Sequence, residues 1–420
     1  MMALQADRTE RQKKCLKNWI KYKCQACIEA ATGFGKTYMA SMAISLLQRK
    51  YPDLKSIVIV PTEILLNQWK DQLNKWKLSN VDVIIINTAI KHTYACDLLI
   101  LDECHRYAAD TFKRVFDVIH YSYVLGLTAT LARTDGKEEY IKRFCPICDT
   151  VSVKECLANH WVSNYDEYLV LIDVDDIDTY KGYNKQFIKA FSYFDFDWNL
   201  VNKCSGPNGY KMKNLLASQR ASSSEGRKTV LKEITLNAAQ VFRWLQKRKS
   251  FIYNHPKKIE IAKKIMDNYP NKKLITFSSN IKMARALEDG KYLYTSKTTK
   301  KEGKILIENF NKQESGHLHT VKKADEGLSV DNIEIAIIVG LTSSSTQATQ
   351  RLGRVIRYQP DKKALIFNLI LNNTVEVEWF LRGHEKNDYI TIKESELDNV
   401  LNEKEYSEYE LPLLRSINKE

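Results

Sequence analysis

The segment that most constrains the fold reads A-A-T-G-F-G-K-T at residues 30–37, between a short apolar stretch and an apolar-periodic one. This order predicts a strand, a glycine-rich turn and a helix. The glycines let backbone N–H groups curve around an anion, the lysine reaches the β- and γ-phosphates of a nucleotide, and the threonine hydroxyl binds Mg²⁺. The helix N-terminus adds the positive end of its dipole. The predicted nucleotide-binding residues are Ala30, Ala31, Thr32, Gly33, Phe34, Gly35, Lys36 and Thr37.

Apolar runs recur along the chain and predict parallel sheets, because buried parallel strands are apolar on both faces. Amphipathic stretches separate the runs of the N-terminal part, which cover residues 56–60, 81–86, 97–101 and 123–127. A second set covers residues 273–277, 333–339 and 364–369. Several runs end in polar clusters, which should converge at the carboxyl edge of each sheet. We therefore predict two α/β domains, residues 1–158 and 159–420, with the boundary near residues 155–170.

A different composition separates the two sets of runs. Residues 203–227 are rich in Gly, Ser, Asn and Lys, which predicts a loop inserted in or before the second domain. Residues 243–258 interleave basic and aromatic side chains, a composition that suits contact with a nucleic-acid backbone and stacking on bases. A packed amphipathic helix with exposed lysines is the alternative. The second domain is thus expected to carry a basic, loop-rich insertion around residues 200–258, with a DNA guide as its candidate role.

The formal net charge of +13 is unevenly distributed. Residues 1–158 carry 23 basic and 17 acidic side chains, residues 159–384 carry 36 and 24, and residues 385–420 carry 5 and 10. A basic body with an acidic C-terminal tail suits a polyanionic partner, and a lysine-rich composition with solvated surfaces gives the same balance. No apolar run approaches the ~18 residues of a membrane span, and the N-terminus has no apolar signal-peptide core. We expect a cytoplasmic protein with reduced cysteines and no membrane contact.

An acidic pair, Asp102 and Glu103, follows one of the apolar runs. A phosphate-binding loop and carboxylates at the end of a neighbouring strand are what NTP hydrolysis requires: Asp102 holds Mg²⁺, and Glu103 orients and deprotonates the attacking water. Further along, Arg354 and Arg357 are three residues apart and share a face if they lie on a helix. Arginines from a second domain can stabilise transition-state charge when the domains close. The pattern therefore predicts hydrolysis coupled to domain motion.

These segments, in their order, resemble the motifs of the superfamily 2 helicases and translocases, whose fold is two tandem RecA-like domains, each a parallel sheet flanked by helices. The run T-A-T-x-x-R-x-D-G at residues 128–136 is similar to the group that contains XPB, RecG, type III restriction subunits and the phage helicase UvsW. The segments are A-x-x-G-x-G-K-T at 30–37 (motif I), V-P-T at 60–62 before L-L-N-Q-W (Ia), D-E-C-H at 102–105 (II), L-T-A-T at 127–130 (III), I-T-F-S at 275–278 (IV), A-D-E-G-L-S-V at 324–330 (V) and Q-R-L-G-R-V-I-R at 350–357 (VI).

The resemblance also implies roles for residues. Motif V departs from the family pattern, with Ser329 and Asp331 where the family usually has Asp or Asn and then Pro. The implied catalytic residues are Lys36, Asp102, Glu103, Gln350, Arg354 and Arg357. The implied ATP contacts beyond the loop are Gln12, Glu326 and Gly327, and the metal contacts are Thr37 and Asp102. The implied nucleic-acid contacts are Thr62, Thr128, Thr130, Ser278 and Thr320, of which Thr128 and Thr130 would also couple the ATP site to the strand.

The function that the resemblance implies is that of an ATP-dependent DNA helicase or translocase with ATP and Mg²⁺ as cofactors. It would unwind forked DNA or migrate branches, with 3′–5′ polarity. The compact chain is most similar to phage enzymes, so a monomer in the host cytoplasm is expected, with DNA as its partner and a further protein at the acidic tail. An RNA helicase and the motor of a restriction system remain open. A passive nucleic-acid clamp is disfavoured by Lys36, Asp102 and Glu103.

Overall fold

The computed structural model describes residues 2–132, 136–206, 209–288, 292–321, 330–341, 363–384 and 388–411. Its N-terminal part alternates strands and helices. The strands are β1 (Gln25–Ala30), β2 (Ser56–Val60), β3 (Val81–Ile85), β4 (Tyr94–Ala95), β5 (Leu98–Asp102), β6 (Ile119–His120), β7 (Tyr123–Thr128) and β8 (Ile147–Val151). The helices are α1 (Met2–Lys21), α2 (Lys36–Lys50), α3 (Glu63–Trp76), α4 (Ile86–Ala89), α5 (Val115–Val118), α6 (Glu138–Phe144) and α7 (Val153–Ala158), with 3₁₀ helices at Cys104–Ala108 and Phe112–Arg114.

Six of these strands form a parallel sheet in the order β3-β2-β5-β7-β1-β8, and β4 and β6 pair separately. Alternate residues enter two hydrophobic clusters: Val58 and Ile100 pack on one face of the sheet, and Ile59 and Leu101 on the other. Burial on both faces explains why these strands read as continuous apolar runs. Because β7 pairs with both β1 and β5, the ends of β1 and β5 that lead to the phosphate loop and the acidic pair lie at one edge.

The C-terminal part contains a second parallel sheet. Its strands are β9 (Asn164–Ile172), β10 (Lys273–Ser278), β11 (Tyr292–Tyr294), β12 (Gly316–Val321), β13 (Ile335–Ile338), β14 (Lys363–Leu371) and β15 (Ile390–Lys393). Its helices are α8 (Ile177–Ser192), α9 (Trp198–Ser205), α10 (Gly209–Arg220), α11 (Ser224–Asn254), α12 (Pro256–Asn268), α13 (Ile281–Leu287), α14 (Lys300–Asn311), α15 (Val375–Leu381) and α16 (Leu397–Leu401), with a 3₁₀ helix at Glu394–Glu396.

The strand order of the second sheet is β11-β12-β10-β13-β14-β9-β15. Strand β9 pairs with β14 along its whole length and with β15 at the edge. The prediction of an acidic tail over residues 385–420 is therefore wrong for residues 390–401, which contribute β15 and α16. Leu397, Val400 and Leu401 are buried there. A few apolar residues are enough to form a short edge strand and one helical turn. Because many carboxylates surround these residues, the sequence pattern does not predict either element.

Residues 177–254, which we call the helical arm, form helices α8–α11. The predicted loop over residues 203–227 is wrong, because Gly and Ser there mark helix ends: Gly206 follows α9, and the Ser223 hydroxyl accepts a hydrogen bond from the Gly226 N–H at 3.1 Å as the N-cap of α11. The arm has its own hydrophobic cluster, which includes Phe191 and Val241. Within the described ranges, no helix is both long enough and apolar enough to cross a membrane.

Candidate nucleotide-binding site

The phosphate loop is the turn between β1 and α2. Gly33 and Gly35 have φ angles of 90° and 101°, values at which any side chain is strained, and Gly35 is the N-cap of α2. Lys36 is the first residue of that helix, and its Nζ donates a hydrogen bond to the Ala30 carbonyl oxygen at 3.2 Å. The first N–H groups of a helix have no partner within the helix. The turn therefore offers an anion both backbone donors and a lysine cation.

Helix α1 lies against this loop through two side chains. The Gln12 Nε2 atom donates to the Phe34 carbonyl oxygen at 2.7 Å. Arg8, one turn earlier, donates through Nε to the same oxygen at 2.9 Å and through its guanidinium to the Gly33 carbonyl. Burial lowers the pKa of Arg8. Sequence reasoning missed Arg8, although its position four residues before Gln12 puts both side chains on one helix face.

A third side chain of α1 holds the helix in place. The Arg11 guanidinium donates to both carboxylate oxygens of Asp149, at 2.8 and 2.9 Å, and to Glu155 at 2.6 Å. Bidentate contacts of this kind fix orientation as well as distance. Asp149 lies on β8 and Glu155 on α7, so Arg11 ties the predicted adenine-reading helix to the edge of the sheet.

The segment that joins the two sheets also packs against the phosphate loop. The rings of Trp161 and Phe34 are 5.3 Å apart, and a Cβ atom at Gly33 would lie 3.4 Å from Val162 Cγ1. Phe34 is completely buried, and Trp161 and Val162 are nearly so. The Phe34 side chain thus anchors the loop, which leaves its backbone for the predicted phosphate contact.

Asp102 is a buried carboxylate at the end of β5. Its Oδ2 atom accepts a hydrogen bond from the Trp69 indole Nε1 at 2.8 Å, and its Oδ1 atom accepts one from the Glu103 backbone N–H at 3.0 Å. Burial, with the neighbouring Glu103 carboxylate, raises the pKa of Asp102 to about 6, whereas Trp69 and Lys36 act in the opposite direction. Trp69 is a second contact that sequence reasoning missed, because a residue on a neighbouring helix leaves no local pattern.

Glu103 has a strained backbone conformation. Its φ and ψ are 50° and 52°, in the left-handed region, which costs a residue with a side chain about 1–2 kcal/mol. Its Oε2 atom is buried, has no hydrogen-bond partner among the described residues and lies 3.5 Å from His105 Nδ1. Observed strain of this kind points to a functional residue, and an unused carboxylate oxygen is what a general base needs.

A hydrogen-bond network joins the acidic segment to residues 128–131. The His105 Nδ1 atom is 3.0 Å from the Thr128 hydroxyl, which in turn donates to the Thr130 carbonyl oxygen at 2.9 Å. The Glu29 carboxylate on β1 accepts a hydrogen bond from the Leu131 N–H at 2.8 Å. The strand that feeds the phosphate loop, the acidic pair and the predicted coupling segment are therefore linked directly.

The predicted nucleic-acid contacts have different accessibilities. Thr62 is partly exposed and caps α3, its hydroxyl accepting a hydrogen bond from the Leu65 N–H. The side chains of Thr128, Ser278 and Thr320 are completely buried, so direct contact of these three hydroxyls with a strand does not fit this conformation. The remaining predicted site residues, Glu326, Gly327, Gln350, Arg354 and Arg357, lie outside the described residues.

A nucleoside triphosphate and Mg²⁺ fit the residues that meet at this edge. The two left-handed glycines form a turn in which a Cβ atom at position 35 would lie 2.7 Å from Gln12 Nε2, so only glycine lets α1 approach. Lys36 supplies a cation for the phosphates, and the Thr37 hydroxyl and the buried Asp102 carboxylate supply the hard oxygens that Mg²⁺ prefers. The carboxyl edge of a parallel sheet is also where such ligands bind.

Comparisons with known proteins match this chain to helicase and translocase families. The family described as "Type III restriction enzyme, res subunit" matches residues 5–95 and 86–133, and the "Helicase conserved C-terminal domain" matches residues 257–359. The chain is 27% identical over 402 residues to the DNA 3′-5′ translocase XPB2 of Sulfurisphaera tokodaii, with 89% of this chain and 84% of that protein covered.

Two further proteins extend the comparison. The chain is 22% identical over 393 residues to the general transcription and DNA repair factor IIH helicase/translocase subunit XPB of Schizosaccharomyces pombe, with 82% of this chain and 41% of that longer protein covered. The fold is similar to that of S. cerevisiae Dbp5 bound to RNA and ADP BeF3, with a TM-score of 0.57, 12% identity, and 93% and 91% of the two chains covered.

The fold defines a class of protein built from two RecA-like parallel sheets, which confirms the predicted fold. The matches to both helicase regions and to the XPB proteins then give the family. The chain belongs to the superfamily 2 helicases and translocases, as its motifs predict.

Proposed function

We propose that this ATP-dependent helicase or translocase acts on DNA, moves 3′–5′ along one strand, and unwinds forks or migrates branches. The observation that carries the proposal is the network from His105 through Thr128 to Thr130, which joins the acidic pair to the predicted strand-coupling segment. DNA as the track is supported by the two relatives that are named as DNA translocase and DNA repair helicase.

In the proposed mechanism, each residue of the edge has one task. Gln12 and Arg8 hold the phosphate loop in shape and place adenine beside α1. Lys36 and the helix N-terminus would neutralise the phosphates, and Thr37 and Asp102 would hold Mg²⁺, which would supply further stabilisation of charge on the phosphate oxygens. Glu103 orients the attacking water and accepts its proton.

The second domain completes the proposed cycle. Gln350, Arg354 and Arg357 would reach the triphosphate when the domains close, and Glu326 and Gly327 would line the cleft. Arginines that arrive only on closure make hydrolysis depend on the position of the second sheet. Reopening after hydrolysis would then release one contact with the strand and allow the next, which converts ATP turnover into movement.

The charge of the helical arm favours a polyanionic partner. Its 78 residues carry 14 basic and 5 acidic side chains. Lys247 lies 4.9 Å from the Trp244 ring centre and 5.4 Å from that of Tyr183, and the Arg243 guanidinium is 5.4 Å from the Trp244 ring. Cations beside aromatic rings can serve phosphates and bases together. We therefore propose an auxiliary DNA contact on this face of the arm, which includes Arg243, Trp244 and Lys247 of the stretch that the sequence predicts.

The test is one panel of ATPase and strand-separation assays with forked DNA, Holliday junctions, single-stranded DNA and single-stranded RNA. Forked or branched DNA should stimulate the wild type most, and Lys36→Ala should abolish both activities. Stronger stimulation by RNA would favour an RNA helicase, and strong stimulation without strand separation would favour a restriction-type motor. Replacing Arg243 and Lys247 by Ala should weaken DNA binding and reduce its salt dependence, with slope changes of about 1 per lost phosphate contact.

The oligomeric state, the cellular location and a protein partner can be proposed as well. We propose a monomer that works in a cytoplasm, that of the host if the chain is viral. The acidic residues beyond α16 would bind a protein partner, since carboxylates dominate residues 403–410. Sedimentation with and without DNA tests the monomer, because a dimer in both conditions contradicts it.

A further inference from the structure

Helix α3 connects two parts of the motor. It begins directly after the carboxyl end of β2, with the partly exposed Thr62 as its N-cap. Two turns later, about 10 Å along the axis, Trp69 is almost completely buried against the core of the first sheet. Its indole N–H donates to Asp102 Oδ2 at 2.8 Å. One helix thus carries a predicted strand contact at its start and a hydrogen bond to the metal-binding carboxylate in its middle.

The contact is specific to the indole of Trp69. An indole N–H only donates, so it fixes which atom of Asp102 faces α3. The Glu103 backbone N–H occupies the other oxygen at 3.0 Å, and the two donors together hold the plane of the carboxylate. Each oxygen still has a second lone pair for a ligand. Partners of this kind orient metal-binding side chains, and their loss typically lowers metal affinity about 10–100-fold.

We propose that Trp69 is a positioning residue that orients Asp102 for Mg²⁺ and transmits strand binding at the start of α3 to the metal site. The first half depends only on the geometry around Asp102. The second half rests on the proposed function, because it requires a strand at Thr62. Trp69 and Leu73 pack into the core as part of α3. A small shift of α3 toward or away from β5 would therefore carry the Trp69 indole with it and change its distance to the Asp102 carboxylate.

Nucleotide binding tests the first half without any need for hydrolysis. A fluorescent, non-hydrolysable ATP analogue is titrated into the wild type and Trp69→Phe, with Mg²⁺ and with EDTA. Trp69→Phe keeps an aromatic ring but removes the donor, so half-saturating Mg²⁺ should rise about 10-fold while affinity in EDTA stays the same. Trp69→Tyr, whose hydroxyl can donate, should recover part of the loss.

Trp76→Phe is the matched control, because Trp76 ends the same helix and packs on Tyr38 at 5.0 Å between ring centres. It should behave as the wild type in both titrations. A Trp69→Phe protein with wild-type Mg²⁺ dependence overturns the proposal. An equal loss of affinity in EDTA also overturns it, since that result assigns Trp69 to packing alone.

The second half is tested by repeating the Mg²⁺ titration with forked DNA present. DNA should lower half-saturating Mg²⁺ in the wild type and in Trp76→Phe, but not in Trp69→Phe. A DNA effect that survives in Trp69→Phe overturns the transmission. If DNA changes neither ATPase nor Mg²⁺ dependence in the wild type, the proposed function and the transmission fail, while the titrations without DNA still decide the positioning role.

If Trp69→Phe does not fold, the positioning role can still be tested on the wild-type protein by NMR. In that case the indole ¹⁵N–¹H resonances of the wild type are recorded, and the Trp69 signal is identified by its loss in Trp69→Tyr. Addition of Mg²⁺ to the nucleotide-bound protein should shift this resonance while that of Trp76 stays unchanged. No shift at Trp69 overturns the proposal.

Discussion

The acidic pair Asp102 and Glu103 at the edge of the first sheet and the ion pair Lys258–Glu376 of the second sheet are buried in opposite ways. At the edge of the first, Glu103 Oε2 is buried with no hydrogen-bond partner among the described residues, and each Asp102 oxygen accepts one hydrogen bond. In the second, Lys258 Nζ lies 2.7 Å from both Glu376 oxygens and donates to the Val339 carbonyl at 3.2 Å. Both side chains of this pair are fully buried.

The difference indicates that the Asp102 and Glu103 carboxylates form a functional site, whereas the Lys258–Glu376 ion pair supports the fold. The Glu376 carboxylate also accepts a hydrogen bond from the Leu371 N–H at 3.2 Å, so the ion pair joins α12, β14 and α15 and its partners lie within the protein. Burial raises the pKa of Glu376 and lowers that of Lys258, and the mutual contact opposes both changes. The Asp102 and Glu103 carboxylates instead keep acceptor capacity unused, which costs stability and leaves oxygens for water and metal.

The largest expected effect comes from the unused oxygen. Glu103→Gln preserves the shape of the side chain but cannot accept a proton, so the ATPase rate should fall about 10²–10⁴-fold, the usual contribution of a general base. Nucleotide affinity and thermal stability should change little, because Oε2 has no described hydrogen bond to lose. The measurements are steady-state ATPase, nucleotide titration and thermal unfolding.

Glu139→Gln is the control for that substitution, since Glu139 lies exposed on α6 and pairs only with Lys142 among the described contacts. It should hydrolyse ATP at the wild-type rate. If the ATPase rate of Glu103→Gln lies within threefold of the wild-type rate, Glu103 is not the general base. The buried Glu103 oxygen would then not differ in function from the Lys258–Glu376 pair.

The second expected effect concerns stability. Glu376→Gln leaves the Lys258 cation buried without its counter-ion, which should lower the free energy of unfolding by about 3–5 kcal/mol. Urea unfolding measures this loss. Replacing both residues, Lys258→Met with Glu376→Leu, should restore most of the stability, because a well-packed apolar pair avoids the desolvation of two charges. A Glu376→Gln protein as stable as the wild type would show that the pair is not a support.

Sequence reasoning located the parts of the site that are contiguous in the chain. The loop at Ala30–Thr37 combines glycines, a lysine and a hydroxyl in one run, and four of the five residues in each of β2 and β5 are apolar because both faces are buried. These features are local, so a single segment of the sequence is enough to predict each of them. The network through Thr128 was only implied by resemblance, and its hydrogen bonds required the structure.

The contacts that sequence reasoning missed join distant segments. Arg8 reaches Phe34 across 26 positions, and Trp69 reaches Asp102 across 33, and neither distance appears in a periodic pattern. The helical arm was misread for another reason: glycine and serine can mark a loop or the ends of helices, and tertiary packing around residues such as Phe191 decides between them. Strand β15 was missed because acidic neighbours surround its few apolar residues.

The smallest expected effect is a pH dependence in the second sheet. Burial alone disfavours the charged form of His384, but its hydrogen bond to Glu167 at 3.1 Å and the attraction of that carboxylate outweigh this, so the pKa of His384 is raised above 6.5. The His384 ring also stacks on Phe380, with ring centres 3.9 Å apart. The folded protein therefore binds a proton at this position more tightly than the unfolded chain.

A raised histidine pKa stabilises the fold below the unfolded pKa, and this contribution is lost as pH rises through the folded pKa. As pH rises above 6.5, the free energy of unfolding of the wild type should thus fall by about 1 kcal/mol more than that of His384→Gln, in keeping with the net contribution of a single hydrogen bond. Urea unfolding of both proteins above pH 6.5 measures this difference, and the raised pKa of Asp102 acts at lower pH, between 3.8 and about 6. Equal slopes for the two proteins would mean that Glu167 holds a neutral ring and that His384 contributes no stability that depends on pH.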